Sequence, residues 1–129
     1  MFKLELEPRF NDTDTLGHIN NAAYLSWFEQ ARKPVFQIFN PTLDLDEWNL
    51  ILARIEIDYL GQGNYNEITT IETQVGKIGN SSFVLIQKAV QDQKVISKAK
   101  TVMVHFDYES NKPTPIEESI KAELTKHIQ

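Results

Sequence analysis

Between Asn11 and Asn21 the chain concentrates side chains able to do acid–base or nucleophilic work: Asn11-Asp12-Thr13-Asp14-Thr15-Leu16-Gly17-His18-Ile19-Asn20-Asn21. Asp14 offers a carboxylate and His18 an imidazole able to give or take a proton. Gly17 lets the backbone turn tightly and come close to a ligand. Directly afterwards a helical pattern begins, and the first turn of a helix presents unpaired N–H groups and a partial positive charge. Hydrolysis of an activated acyl group, such as a thioester, needs a polarised carbonyl oxygen and an activated water or carboxylate nucleophile. Amides near Asn20 and Asn21 can supply the first, and Asp14 the second. The aromatic and aliphatic helix face that starts at Tyr24 offers a wall for an acyl chain.

Each of these residues also has a structural reading. Asp14 and Asp12 are of a type that closes turns on its own backbone. Asn20 and Asn21 are favoured helix caps, and His18 can fix the loop instead of moving a proton. Glu29 and Arg32 stand three apart, the spacing of an ion pair on one helix face. His105 alternates within a strand pattern, and His127 lies in the tail, where solvation is the rule. Other chemistries lack their residues. The chain has no cysteine, which removes disulfides, thiol nucleophiles and thiolate metal sites. Its histidines are far apart in sequence, and neither a Gly-rich phosphate loop nor a Gly-x-Ser-x-Gly elbow occurs.

The elements that must hold the polar cluster follow from periodicity. Phe2, Leu4 and Leu6 share one face of a strand predicted over residues 3–9. Tyr24, Phe28, Ala31, Val35 and Ile38 recur at spacings of three and four, predicting one long helix over 22–39 with little of its circumference polar. Pro34 should kink it. From residue 50 the period becomes two, and strands are predicted from 50 to Tyr59 and over 67–77, 81–91 and 94–107. Gly61-Gln62-Gly63-Asn64, Gly79-Asn80 and Gln91-Asp92-Gln93 mark the turns, so the later strands should form antiparallel hairpins. Thr114-Pro115-Ile116-Glu117 has the form of a capping box opening a short terminal helix. A helix apolar nearly all round needs an antiparallel sheet curled about it, and a second subunit to finish the cover. The class is α+β.

The 129 residues suit one domain, taken as 1–129. No apolar run reaches the roughly 20 residues of a membrane span. The first residues alternate like a strand instead of a signal peptide, which, with no cysteine, fits a cytoplasmic location. A formal charge of -5 argues against nucleic acid as a partner.

The run Arg9 to Leu25, followed by Phe28-Glu29-Gln30-Ala31-Arg32, resembles the signature of hotdog-fold acyl-CoA thioesterases similar to 4-hydroxybenzoyl-CoA thioesterase. The likeness continues through Ile55-Glu56-Ile57-Asp58-Tyr59-Leu60, Lys77-Ile78-Gly79-Asn80-Ser81-Ser82-Phe83 and Lys112-Pro113-Thr114-Pro115-Ile116, and so spans nearly the whole chain. It implies a five- or six-stranded antiparallel sheet wrapped around one long central helix. It also implies a homodimer or homotetramer with sites at the dimer interface, and no metal or redox cofactor. The family's catalytic carboxylate falls on Asp14, and the amide that polarises the thioester carbonyl falls near Asn21. His18 joins them as a candidate catalytic group. Gly17, Asn20, Tyr24, Arg54 and Lys77 are candidates for substrate binding. Arg54 and Lys77, with Lys98 and Lys100, can meet the phosphates of coenzyme A, although alternating lysines also suit a solvated face. The segment 14–21 is also similar to the motif of plant-type acyl-ACP thioesterases, but Leu16 stands where those have an asparagine. Acyl-CoA is therefore favoured over a carrier protein. A non-catalytic acyl-thioester-binding module and an acyl-thioester hydratase are the alternatives on the same fold.

Overall fold

The computed structural model describes residues 1–128. Strand β1 (Phe2–Leu6) leads through a 3-10 turn at Phe10–Asp12 to helices α1 (Asn21–Ala31) and α2 (Lys33–Phe39). Four long strands follow: β2 (Leu50–Tyr59), β3 (Thr69–Ile78), β4 (Ser82–Gln91) and β5 (Lys94–Asp107). The short β6 (Lys112–Pro113) and helix α3 (Glu118–Thr125) complete the order. All strand pairings are antiparallel. The sheet runs β1-β3-β4-β5-β2, with β6 beside β5. Between β4 and β5, Asp92 and Gln93 both take positive φ (47° and 64°), the turn geometry whose twist suits a tight hairpin.

The helix differs from the sequence expectation in two ways. It breaks at Arg32, which ends α1 and caps α2, and Pro34 sits in the first turn of the second helix. Proline lacks an N–H, and the first turn is where none is needed, so the chain restarts there instead of bending. Burial is also one-sided. Ala23, Tyr24, Trp27, Phe28 and Ala31 are buried, whereas Ala22, Leu25, Ser26, Glu29 and Gln30 are exposed in the single chain. The predicted capping box is absent too: Glu117 caps α3 without a side-chain hydrogen bond. Thr114 instead donates its N–H to His105 O, and Ile116 is buried, so this segment first runs as a strap along the sheet.

Two apolar clusters fill the space between helices and sheet. Phe28, Ile71 and Ala89 centre one beneath α1; Val35, Leu85 and Leu124 centre the other beneath α2 and α3. Burying each large side chain contributes about 1.5–3 kcal/mol. A polar residue, Gln87, lies fully buried among them. Its amide donates to Phe28 O (2.9 Å) and Thr73 Oγ1 (3.0 Å) and accepts from Arg32 Nη1 (3.2 Å). On β2, Leu52 pairs with Met103 and Arg54 with Val102, so Ala53 is the extra residue of a bulge. The bulge keeps Leu50 and Leu52 on the same inner side as Ile55, Ile57 and Tyr59. Among the described residues no helix is long and apolar enough to cross a membrane. No group of three or more His, Cys, Asp or Glu is placed among them to hold a metal ion.

Candidate active site

The polar cluster folds into a closed loop. Thr13 and Ile19 form an antiparallel bridge, and between them the Asp14 N–H donates to His18 O at 2.8 Å. Asp14 Oδ1 accepts from the N–H groups of Leu16 (2.8 Å) and His18 (3.1 Å). Gly17, at φ 79°, reverses the chain where a Cβ would be strained. The Asx turn that is the structural reading of Asp14 therefore exists, made through one oxygen. No hydrogen bond among the described residues engages Oδ2, and the residue is exposed. One oxygen sets the orientation and leaves the other free to accept a proton.

Asp12 anchors this loop to the core. Only 3 % exposed, it accepts from Arg9 N (2.8 Å), Arg9 Nη2 (3.1 Å) and Trp27 Nε1 (3.3 Å). Burial pushes its carboxyl up, but the hydrogen bonds from Arg9 and Trp27 outweigh that and hold it below the usual carboxylate range. Its carbonyl accepts from Asn20 N at 2.7 Å, which places the helix start. Asn20 then caps α1: Oδ1 accepts from Ala22 N at 3.0 Å. Asn21 is the first helical residue, and its N–H has no acceptor among the described residues. That is the orphan donor expected of a helix N-terminus. Tyr59, at the end of β2, donates its hydroxyl to Asn21 O at 3.1 Å and ties the helix start to the sheet edge.

These pieces surround a cleft of about 370 Å³. Asp14, His18 and Ile19 form one side, Asn21 and Tyr24 the helix side, and Tyr59 to Gly63 the third. Tyr24 is 2 % exposed and meets Trp27 and Tyr59 edge-on, with ring centroids 5.2 and 5.6 Å apart. Burial raises its hydroxyl pKa, opposed by a hydrogen bond from the Gly63 backbone, so the phenol stays neutral and can donate. Gly63 comes so close that a Cβ there would collide with the Tyr24 hydroxyl and stand 2.8 Å from Ile19 Cγ1.

Of the residues singled out from sequence, Asp14, His18, Asn21 and Tyr24 line this one cleft, while Gly17 and Asn20 shape its loop and helix start. Arg54 and Lys77 do not reach it in the single chain. Arg54 points to the outer face of β2, paired with Glu56, and lies roughly 16 Å along the strand from Tyr59. Lys77 is exposed at the irregular end of β3, near Phe83, whereas the cleft lies toward the Ile71 end. Lys98 and Lys100 stand opposite Asp58 and Glu56 across the β2–β5 ladder. Sequence reasoning missed Tyr59 and Gly63, taking the first as an ordinary strand residue and the second as turn punctuation. The available signal was a tyrosine ending a strand just before Gly61-x-Gly63.

An exposed carboxylate with one committed oxygen, a free helix N–H and apolar aromatic walls can together activate water and stabilise an oxyanion. Residues 8–124 match the Thioesterase-like superfamily. A predicted thioesterase from Bacillus stearothermophilus has the same fold, with TM-score 0.96 and 34% identity over 99% of this chain and 96% of that one. A thioesterase complexed with coenzyme A and Zn from Thermus thermophilus aligns at TM-score 0.85 and 29% identity, covering 95% of this chain and 96% of that chain. The acyl-CoA thioesterase YbgC of Haemophilus influenzae is 24% identical over 125 residues, 94% of this chain and 92% of its own.

Proposed function

Since the chain belongs to the Thioesterase-like superfamily and has its hotdog architecture, we propose that it hydrolyses acyl-CoA thioesters at the Asp14 cleft. The observation that carries this reading is one cleft lined by both Asp14, one of whose oxygens has no hydrogen bond among the described residues, and Asn21, whose N–H has no acceptor among them. Asp14 acts as general base on a water, or attacks the carbonyl itself. The Asn21 N–H, aided by the helix dipole, receives the negative charge that builds on the carbonyl oxygen. The C–S bond then breaks and a proton goes to the leaving thiolate; with water as nucleophile the acyl carbon keeps the water oxygen as the free acid, and with Asp14 as nucleophile a water then hydrolyses the acyl–Asp14 anhydride and restores the carboxylate. His18 lines the same cleft and in this reading delivers the proton to the thiolate.

The assembly belongs to the same proposal. Among the described residues strand β2 is an edge with no neighbour on its outer side, and Ile51 and Leu52 on it are 37 % and 44 % exposed. An uncovered apolar edge of this length invites pairing. A second copy there makes a homodimer, or half of a homotetramer, and closes the exposed face of α1.

Free-thiol release from short, long and aromatic acyl-CoAs, wild type beside Asp14→Asn, is the test. Removing the base should lower turnover by about 10²–10⁴-fold. Undiminished turnover in a folded Asp14→Asn protein refutes the assignment. Turnover confined to acyl carrier protein would move the substrate class. Tight binding of a non-hydrolysable acyl-CoA with no turnover of true thioesters would favour a binding module, and water addition to enoyl thioesters a hydratase.

A further inference from the structure

Strand β4 buries a second glutamine, Gln91, on the same face as Gln87. Its side-chain amide is committed to the loop between β2 and β3. Oε1 accepts from Asn64 N at 2.8 Å, while Nε2 donates to Asn64 O at 2.9 Å and to Thr69 Oγ1 at 2.8 Å. One side chain thus pairs with both backbone groups of Asn64, as a neighbouring strand would. Asn64 also fixes which way the amide points, since its N–H must meet the oxygen and its carbonyl the nitrogen. The other edge of this segment holds the loop of Asp14 and His18. Ile19 N donates to Gly63 O at 3.0 Å and Tyr65 N to Gly17 O at 3.4 Å, on either side of an antiparallel bridge between His18 and Asn64. His18 in turn exchanges hydrogen bonds with Asp14: Asp14 N donates to His18 O, and His18 N to Asp14 Oδ1. Two short backbone segments, 63–65 and 17–19, therefore connect a buried side chain of the sheet to both candidate reactive groups.

We propose that Gln91 is a positioning residue for the hydrolysis, holding segment 63–65 in register and through it His18 and Asp14. The inference rests on the thioesterase reading of the cleft. Gly61, Gln62 and Gly63 line that cleft together with Asp14 and His18, so releasing the segment shifts one wall and both reactive groups at once. Gln91 itself lies outside the lining and acts through the backbone it holds. Gln87 supplies the comparison. It is buried on the same strand face and also donates to a threonine hydroxyl and a backbone carbonyl, those of Thr73 and Phe28, but neither of these residues lines the cleft.

Acyl-CoA hydrolysis and amide hydrogen exchange, measured on wild type, Gln91→Leu, Gln91→Glu and Gln87→Leu, test this. Gln91→Leu leaves Asn64 N without its acceptor and Asn64 O with the longer bond from Glu67 N, 3.3 Å. Its kcat should fall at least about tenfold, as displacements approaching 1 Å do. Its KM should stay within about twofold, because the loss falls on the transition state. Gln87→Leu should keep kcat within about twofold of wild type, although it too strips a buried network. Exchange in 17–19 and 63–65 should quicken at least about tenfold in Gln91→Leu while β5 stays protected. Gln91→Glu gives a readout that lost packing would not. As a carboxylate it sets an oxygen against Asn64 O, whereas protonated it restores the acceptor and donor of the amide. The ratio of its kcat to that of wild type should therefore climb as pH falls from about 8 to about 5, the range into which burial moves such a carboxyl. Wild type without turnover of any acyl-CoA ends the thioesterase reading, and with it this role of Gln91. Where wild type is active and Asp14→Asn is not, three results overturn the Gln91 inference alone: kcat kept in Gln91→Leu, kcat lost equally in Gln87→Leu, or unchanged exchange in 17–19. Should Gln91→Leu not fold, a ratio that stays flat with pH in Gln91→Glu overturns it.

Discussion

Replacing Gly63 by alanine sets a Cβ against the Tyr24 hydroxyl, with Ile19 Cγ1 at 2.8 Å and Ile96 Cδ1 at 3.1 Å. None of these neighbours has room to swing away. Tyr24, Ile19 and Ile96 are 2 %, 6 % and 4 % exposed, and Tyr24 is wedged between two aromatic rings. Ordinary contact requires Ile19 to retreat by about 0.6 Å and Tyr24 by more, and overpacking of this kind costs about 1–3 kcal/mol. For a domain of this size that lowers Tm by about 4–12 °C. Ile19 and Tyr24 also line the Asp14 cleft, so turnover should fall by up to about 10²-fold, as misplacements near 1 Å do. Calorimetry and thiol release read the two effects. Gly61→Ala is the control: the nearest atom to its Cβ is Ile96 Cγ2 at 3.9 Å, and its stability should stay within about 0.5 kcal/mol of wild type. Adding Tyr24→Phe to Gly63→Ala removes the worst collision and should restore more than half of the loss, a coupling seen in a double-mutant cycle. If Gly63→Ala melts together with Gly61→Ala, the packing argument fails.

Asp12 carries a carboxyl whose folded pKa is lowered, so its stabilising contribution is present above its unfolded value, about 3.9, and is lost as pH falls through the folded one. Arg9→Met removes the ion pair and leaves burial to dominate; the acid-unfolding midpoint, followed by Trp27 fluorescence, should move to higher pH, and an unmoved midpoint would count against the anchor. Gln87→Leu strips buried Thr73 and Arg32 of a partner, at about 1–3 kcal/mol for each group left unpaired. Urea unfolding should show a loss of about 3 kcal/mol, and a loss below about 1 kcal/mol would mean that the network relaxes onto water.

Strand β4 was legible because it alternates cleanly: Phe83, Leu85, Gln87 and Ala89 point inward, and the residues between them outward. The helix start was legible because Asn20 is of a capping type and does cap. Two features needed three dimensions. The helix break at Arg32 could not be read from an apolar stripe that continues through Pro34. The half-exposed α1 could not be read either, because a pattern records which side chains are apolar, not whether the surface covering them belongs to the same chain. At the site, residues 14–21 were legible as one local loop. Tyr59 and Gly63 enter it through the return of the distant β2, which no local spacing encodes.

The strand order also has a kinetic meaning. β3, β4 and β5 form a run of hairpins closed by the short turns at Gly79–Ser81 and Asp92–Gln93, so their pairings bring together residues near in sequence. Both edges are supplied from afar: Phe2 pairs with Thr73, and Leu50 with His105. Closing those long loops costs more chain entropy and must wait for a surface to close upon. The meander therefore forms the template, and β1 and β2 dock late, with amide exchange in the edge strands as the place to see it. The tyrosine that steadies the Asp14 cleft belongs to one of those late edges. The chain thus completes its proposed reactive site near the end of folding, when the core beneath it is already in place.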